Sequence, residues 1–288
     1  MLTMSALDFK RFRELVHQHT GIWLRDGKNV MLASRLTRRV KHHGLQNFSE
    51  YYDYLERSRD DNEIAELINC VTTNKTSFFR ESHHFDFLRD VVVPERMKAA
   101  RGGQAKSIRI WSAACSTGEE PYSISMSLCD ALCGRDGASF GGMSSWNIEI
   151  IASDIDTTVL DTASRGVYQE NLLGDVTPGL RQKYFLRGKG ESSGFVKVKP
   201  ELRRLIAFSR INLMDKVWPL SGKFHVIFFR NALIYFNQDT QEMFLRRMIR
   251  LLEPRGYLIL GHSEHIPWLN DAVTPLNHTV FQLRDAPI

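Results

Sequence analysis

The chain has 288 residues, of which 43% are hydrophobic and 25% are charged, and its formal net charge is +5. This length can bury a large core and predicts two domains, and the composition is that of an ordinary soluble protein. No apolar run approaches eighteen residues, and the N-terminus lacks the pattern of a signal peptide, so neither a transmembrane helix nor a leader is expected. The four cysteines lack metal-ligand spacing and fit a reducing cytoplasm.

The positive charge is concentrated near the N-terminus. Residues 1–41 hold nine Lys or Arg against three Asp or Glu, a balance of +6, so the remainder is close to neutral. This region is predicted as several short helices, and the helix over 28–42 places three arginines on one face: Arg35, Arg38 and Arg39. That face is either a solvated helix surface or a docking surface for an acidic helix or nucleic acid.

A polar segment over 72–85 follows. It contains Phe78 and Phe79, which a simple linker would not need, so we expect it to be packed. His83 and His84 are adjacent in this segment, but they have no third ligand nearby in the sequence, and a metal site is not expected.

From Ser107 the pattern alternates strands and helices, which indicates a parallel sheet with flanking helices. The first unit, 108–124, predicts a buried strand, a turn of small residues and a helix that begins with Glu119 and Glu120. Such a unit holds a ligand at the carboxyl end of a parallel sheet. The acids suit the helix dipole and favour a positively charged ligand over a phosphate.

Further along, a Gly/Ser-rich loop is predicted over 134–145, and a second strand ends in Asp154-Ile155-Asp156. An acid at that point can accept hydrogen bonds from ribose hydroxyls or can cap the next helix, and the pattern leaves both interpretations open.

Three spaced glycines, Gly188, Gly190 and Gly194, lie between strand-like segments and open no helix, which indicates a small β-hairpin rather than a dinucleotide site. The apolar run over 224–229 predicts a central strand, and 279–283 predicts a last, antiparallel strand at the edge of the sheet.

Together these residues resemble the CheR family of chemotaxis receptor methyltransferases. Five motifs carry the resemblance, in the family's order and spacing: Thr73–Glu81, Ser116–Ser123, Ala152–Asp156, Arg230–Phe236 and Gly261–Glu264. Each motif is weak alone, but the set is highly specific and covers essentially the whole chain. The resemblance implies an all-α N-terminal domain over 1–75 and a class I S-adenosylmethionine-dependent methyltransferase domain over 76–288. That second domain is α/β and Rossmann-like, with a small antiparallel β-subdomain inserted at about 186–208.

The resemblance also implies a cofactor site for S-adenosylmethionine, and it implies no metal. The methionine side would be lined by Asn74, Thr76, Arg80 and Glu119, the ribose would be held by Asp154, the adenine would be met by Asn212 and Leu213, and the pocket would be closed by Arg230 and Asn231. Tyr235 would lie near the methyl group, and we expect Tyr235 and Arg230 to orient the acceptor or the methyl group. Reasoning from the residues alone reaches only Glu119 and Asp154.

Two partner surfaces follow from the same resemblance. The face of Arg35, Arg38 and Arg39 resembles the family's surface for the acidic methylation helices of receptors. The hairpin of Gly188, Gly190 and Gly194 resembles the form found in members that dock on a short C-terminal receptor peptide. Such a tether would raise the local enzyme concentration without touching the chemistry.

The implied reaction is methyl transfer to glutamate carboxylates of bacterial chemoreceptors, in the cytoplasm, by a monomer that neither enters the membrane nor binds nucleic acid. A carboxylate with a pKa near 4.3 is ionised at neutral pH, so no general base is needed. Two alternatives stay open at this point. One is an RNA or DNA methyltransferase, since the fold is shared and the N-terminal region is basic. The other is a non-catalytic receptor-binding adaptor.

Overall fold

The computed structural model describes residues 2–133 and 140–285. Four helices form the N-terminal part: α1 Ala6–Thr20, α2 Asn29–His42, α3 Phe48–Ser58 and α4 Asp61–Val71. Ser5 and Asp8 form a capping box that begins α1, and Asn47 and Asp60 cap α3 and α4 through their side chains. The apolar faces of these helices pack together, with Phe12 fully buried in their core.

The predicted packing of the polar segment is confirmed, since Phe78 is wholly buried. Immediately after it a continuous helical stretch runs as α5 His83–Phe87, a π-helical turn Leu88–Val92, and α6 Val93–Arg101. The remaining helices are α7 Glu119–Cys133, α8 Thr157–Arg165, α9 Pro178–Tyr184, α10 Pro200–Arg203 and α11 Gln238–Ile249.

Of the loop predicted over 134–145, residues 134–139 lie outside the described part, and Phe140–Ser145 form a 3-10 helix. No helix among the described residues is both long enough and apolar enough to cross a bilayer.

In the described part of the chain, ten strands form two sheets: β1 Ser107–Ala113, β2 Asn147–Asp154, β3 Val167–Gln169, β4 Phe185–Arg187, β5 Phe195–Val198, β6 Ile206–Arg210, β7 Phe224–Phe229, β8 Leu252–Leu260, β9 Val273–Pro275 and β10 Val280–Leu283. The large sheet has the order β6-β2-β1-β7-β8-β10-β9, in which the first five strands run parallel. β7 lies at its centre, as the apolar run predicts. The direction of the strand order reverses between β1 and β7, so their carboxyl ends form the crevice where open α/β sheets bind ligands.

The far edge of this sheet differs from the prediction. β10 is antiparallel to β8, as expected, but it is not the edge strand, because β9 pairs along its other side. Three residues of β9, one of them Pro275, are too short a run to give a strand signal in the sequence.

The small sheet has the order β3-β5-β4 and is antiparallel throughout. The predicted hairpin is therefore present as β4 and β5. The boundaries expected for the subdomain, 186–208, need correction, because the sheet begins upstream with β3, and β6 belongs to the large sheet.

Candidate active site

The turn after β1 brings backbone close to the crevice. Ala114 and Ser116 adopt left-handed conformations, with φ of 58° and 52°, which small side chains tolerate better than large ones. Gly118 follows with φ of 96°, and a Cβ there would lie 2.8 Å from the Cβ of Ala163. The turn therefore lies tightly between β1 and α8, and it presents the first turn of α7 at the carboxyl edge of the sheet.

Glu119 opens α7 and is only 4% exposed. Its Oε2 accepts a hydrogen bond of 2.7 Å from the Thr117 hydroxyl, and among the described residues it forms no ion pair. Burial raises the pKa of this carboxyl above its ordinary value. A buried carboxylate without a cation is costly, and it gives this end of the crevice a place for a positively charged group.

Two acids follow β2, and the structure gives them different partners. Asp154 is buried and accepts hydrogen bonds from the backbone N–H of Ser116 at 2.9 Å and of Asp156 at 3.0 Å. A carboxylate offers about four acceptor sites, so these two bonds leave capacity for ribose hydroxyls. Burial raises the pKa of Asp154 as well. Asp156 caps α8 through the N–H of Thr158, so the capping role falls to Asp156.

The polar segment is fixed beside this edge through its first residues. Asn74 donates from its side-chain amide to Asp156 at 2.8 Å, and its carbonyl accepts from the Ser116 hydroxyl at 3.1 Å. Thr76 is half-buried, and Arg80 donates to the carbonyl of Lys75 at 2.9 Å. The structure therefore brings Asn74, one of the predicted methionine-side residues, into contact with the turn after β1.

Arg230, at the end of β7, is 6% exposed. Its guanidinium pairs with Glu120 at 2.9 Å and with Glu81 at 3.1 Å, and it also donates to the carbonyl of Arg80. The expected catalytic orientation of an acceptor by Arg230 does not fit this arrangement, because the side chain is 2% exposed and is committed to two carboxylates. Its geometry is that of a residue that holds the segment at 80–81 against α7.

Glu264 ends the motif Gly261–Glu264, and the resemblance implies no role for it in the site. It is 3% exposed, and its carboxylate accepts three backbone N–H bonds, from Gly261 at 2.6 Å, Asn231 at 2.9 Å and Leu233 at 2.8 Å. Asn231 has a φ of 57° and donates from its side chain to Glu81 at 3.1 Å. Glu264 therefore connects the segments that follow β7 and β8. Its position four residues after the apolar strand β8 is the sequence feature that could have identified it.

Asn212 and Leu213 follow β6, and Tyr235 lies in a 3-10 turn after β7. Both polar groups of the Asn212 side chain are used internally, since Nδ2 donates to the carbonyl of His19 at 2.6 Å and Oδ1 accepts from the N–H of Met214 at 3.0 Å. Each of these atoms keeps one further hydrogen or lone pair, so the Asn212 side chain retains hydrogen-bonding capacity towards an adenine. Tyr235 is half-buried.

The predicted arginine face is divided by the structure. Arg39 is 9% exposed and forms a buried ion pair with Glu63, to which Tyr51 also donates at 2.5 Å, so the expectation that Arg39 lies on a docking surface is wrong. Arg35 donates to the carbonyls of Val71 and Thr72. Only Arg38 of the three is exposed. Helical spacing placed the three together, but it could not show that α4 covers part of that face.

His83 and His84 do have a third potential ligand, which corrects the reasoning from sequence. Glu81 lies with them, and one ligand atom of each residue falls within 4.8 Å of the others. The carboxylate of Glu81, however, already accepts from Arg230, from Asn231 and from the N–H of His262 at 3.1 Å. The donor set thus lacks a free carboxylate, and its negative charge is balanced by an arginine.

Both parts of the chain match known protein families. Residues 7–72 match the family described as CheR methyltransferase, all-alpha domain, and residues 74–281 match CheR methyltransferase, SAM binding domain. The chain is 42% identical over 282 residues to the chemotaxis protein methyltransferase of Escherichia coli K12, covering 98% of this chain and 92% of that one. It is 41% identical to the Salmonella typhimurium LT2 protein of the same name, with the same coverages, and 40% identical to chemotaxis protein methyltransferase 2 of Pseudomonas aeruginosa, with 95% and 92% covered. The chain therefore belongs to the CheR family of S-adenosylmethionine-dependent methyltransferases.

Proposed function

We propose that this enzyme transfers a methyl group from S-adenosylmethionine to glutamate side chains on the cytoplasmic helices of bacterial chemoreceptors, giving γ-glutamyl methyl esters. The observation that carries the proposal is the buried carboxylate of Glu119 at the carboxyl edge of the sheet, which forms no ion pair with any described residue. An α-amino group is the part of this cofactor that such a carboxylate would recognise.

The residues present fit the cofactor at two separated points. Glu119 supplies an anion in a nearly dry environment, and Asp154 keeps spare acceptor capacity at the end of β2. Asn74 and Arg80 border the same edge and define the side from which the methionine portion would be enclosed. When bound, the cofactor supplies an electrophilic methyl on a positively charged sulfur.

The rest of the chemistry falls to positioning. The acceptor glutamate is ionised at neutral pH, so one of its oxygens can form the new C–O bond as the S–CH₃ bond breaks, and no proton needs to move. The chain must therefore align the acceptor and exclude water. We assign Tyr235 to the acceptor side because it is half-buried on the turn after β7.

Arg230 and Glu264 act in this proposal as positioning residues. Arg230 draws Glu81 and Glu120 together, and Glu264 binds three N–H groups of the segments after β7 and β8. With these contacts, the loops at the carboxyl edge are fixed before any ligand arrives. Such preorganisation lowers the cost of aligning two reactants.

The receptor helices would dock on the N-terminal part through Arg38. It is the exposed member of the predicted arginine face, and the net charge of this region is positive. Arg35 serves the docking surface indirectly, since its bonds to the carbonyls of Val71 and Thr72 tie α2 to the segment that leads to the cofactor site. Acidic helices would be attracted to this surface at a rate that depends on ionic strength.

The small sheet would bind a C-terminal receptor peptide. Three large apolar side chains are exposed on it, Val167 at 38%, Leu186 at 48% and Phe195 at 41%. β3 and β4 are its edge strands, and an edge can accept an extended peptide as a further strand. Gly190 and Gly194 adopt positive φ and shape the turn between β4 and β5, while a Cβ at Gly188 would overlap the carbonyl of Ser192.

Methylation of a candidate receptor with labelled S-adenosylmethionine tests the proposal. We expect alkali-labile label on the receptor, and less label on a receptor truncated by its C-terminal peptide. Label that resists alkali, or label on nucleic acid, would contradict the proposed reaction. Equal labelling of intact and truncated receptors would contradict only the peptide assignment.

A further inference from the structure

We propose that residues 19–23, which comprise the end of α1 and the three residues after it, are a positioning segment of the active site. The segment is hydrogen-bonded to both Asn212 and Tyr235. The helical domain would therefore position active-site residues in addition to docking the receptor. This inference rests on the proposed function for the meaning of Tyr235, but its contacts are independent of any substrate.

Two hydrogen bonds connect the segment to two separate parts of the catalytic domain. The carbonyl of His19 accepts from the side chain of Asn212 at 2.6 Å, and the N–H of Trp23 donates to the carbonyl of Tyr235 at 2.8 Å. Between them, Ile22 pairs with Phe236 as an isolated antiparallel bridge. One short stretch of the helical domain therefore holds both site segments.

Those two parts are not otherwise neighbours in the sheet. Asn212 follows β6, and Tyr235 follows β7, and in the strand order β2 and β1 lie between these two strands. The sheet thus keeps the segment expected at the adenine and the segment expected at the methyl group two strands apart, and within the catalytic domain Arg247, on the helix that follows Tyr235, donates to the carbonyl of Leu213 at 2.9 Å. The contacts of residues 19–23 with Asn212 and Tyr235 add a connection between the two segments that comes from the helical domain.

The segment is built to be rigid. Thr20 is 3% exposed, and its hydroxyl donates to the carbonyl of Val16 at 2.7 Å and accepts from the N–H of Ile22 at 3.0 Å. Gly21 ends α1 in a left-handed conformation, with φ of 75°, and its N–H donates to the carbonyl of His17 at 2.8 Å. A rigid segment can hold Asn212 and Tyr235 at a fixed separation, whereas a flexible segment could not.

Gly21 also sets how close the two domains come. A Cβ at this position would lie 3.0 Å from Sδ of Met214 and 3.0 Å from Cγ2 of Thr240, both in the catalytic domain. Gly44, after α2, has nearly the same conformation, with φ of 67°, but a Cβ there would meet nothing within 4 Å. Alanine at either site carries the same backbone strain, and only alanine at Gly21 pushes on the catalytic domain.

The test compares Gly21→Ala with Gly44→Ala in the full chain. Calorimetry measures the affinity for S-adenosylhomocysteine, and initial rates on a receptor give kcat and KM. We expect Gly21→Ala to lower kcat by about tenfold to a hundredfold and to weaken S-adenosylhomocysteine binding, because small misplacements of reacting groups are costly. Gly44→Ala should stay near the wild type in kcat and affinity, although both variants unfold at a lower temperature.

Two further variants test whether the loss of kcat comes from the position of residues 19–23. Thr240→Ser removes one of the two crowding atoms, so Gly21→Ala/Thr240→Ser should recover part of the lost kcat. Thr20→Val removes the bond to the N–H of Ile22 without changing the volume, and it should reproduce the loss in kcat if the alanine variant does not fold. Wild-type kcat and affinity in Thr20→Val and in a folded Gly21→Ala would overturn the inference, as would equal losses in Gly21→Ala and Gly44→Ala. If the wild type binds S-adenosylhomocysteine but esterifies no glutamate, the proposed function fails, while the affinity comparison still tests the segment.

Discussion

Replacing Glu119 with glutamine tests the cofactor assignment through two effects of opposite sign. The substitution keeps the shape of the side chain and its bond from Thr117, and it removes a negative charge that has no cation near it among the described residues. In the protein without ligand this charge is unfavourable, as the raised pKa of Glu119 shows. In the complex the same charge would pair with the cofactor's amino group.

The size of each effect follows from burial. Glu119 is 4% exposed, so a charged hydrogen bond formed there should contribute about 1.5–3 kcal/mol, which is roughly a tenfold to hundredfold loss of affinity in Glu119→Gln. Without ligand, the variant should be more stable than the wild type by about 1 kcal/mol, since it no longer buries an unpaired charge. Weaker binding together with a higher unfolding temperature is a pattern that a merely structural residue would not give.

Calorimetric titration with S-adenosylhomocysteine and thermal unfolding without ligand measure the two effects. Glu120→Gln is the matched control, because the neighbouring carboxylate accepts from Ser112 at 2.8 Å and pairs with Arg230 at 2.9 Å. This control should lose about 1–3 kcal/mol of stability, since it leaves a buried arginine with one partner fewer. Unchanged affinity in Glu119→Gln, or a fall in its stability without ligand, would refute the reasoning.

Three further predictions concern pH and the N-terminal part. As the pH falls from neutral towards the ordinary carboxyl range, the wild type should lose affinity for S-adenosylhomocysteine more steeply than Glu119→Gln. The reason is that the raised pKa makes Glu119 accept a proton at a higher pH than an ordinary glutamate. Parallel affinity curves for the two proteins would contradict this prediction. The same raised pKa means that Glu119 lowers the free energy of unfolding above its folded-state pKa and that this cost is relieved as the pH falls below it. Urea unfolding without ligand should therefore show a smaller loss of stability on acidification in the wild type than in Glu119→Gln. Arg39→Met should reduce the free energy of unfolding by about 3 kcal/mol because it leaves Glu63 buried without its main cation. Arg38→Glu, in contrast, should leave the free energy of unfolding unchanged and raise the KM for the receptor. An Arg39→Met variant as stable as the wild type, or an unaltered KM in Arg38→Glu, would show that the two roles are misassigned.

The sequence was sufficient to predict features that depend on the residues of a single local segment. The strand, turn and helix over 108–124 were predictable because alternation, small residues and acids at a helix start each have a local physical cause. The same holds for the hairpin of β4 and β5.

Signals failed where the outcome depends on which element covers a side chain. Arg38 and Arg39 are neighbours in sequence, yet one is exposed and the other is paired with Glu63 on α4. Arg230 was expected to face a substrate, but Glu81 and Glu120, from distant parts of the chain, enclose it. β3 and β9 are each three residues long and acquire their strand character only from their partners.

Chemical identification of the transferred methyl group tests the central claim most directly. The wild-type protein is incubated with labelled S-adenosylmethionine and a chemoreceptor, and the labelled product is treated with mild alkali and mapped by mass spectrometry. We predict that the label is released as methanol and maps to glutamate side chains of the receptor's cytoplasmic helices. Label that survives alkali, or that maps to residues other than glutamate, would contradict the account.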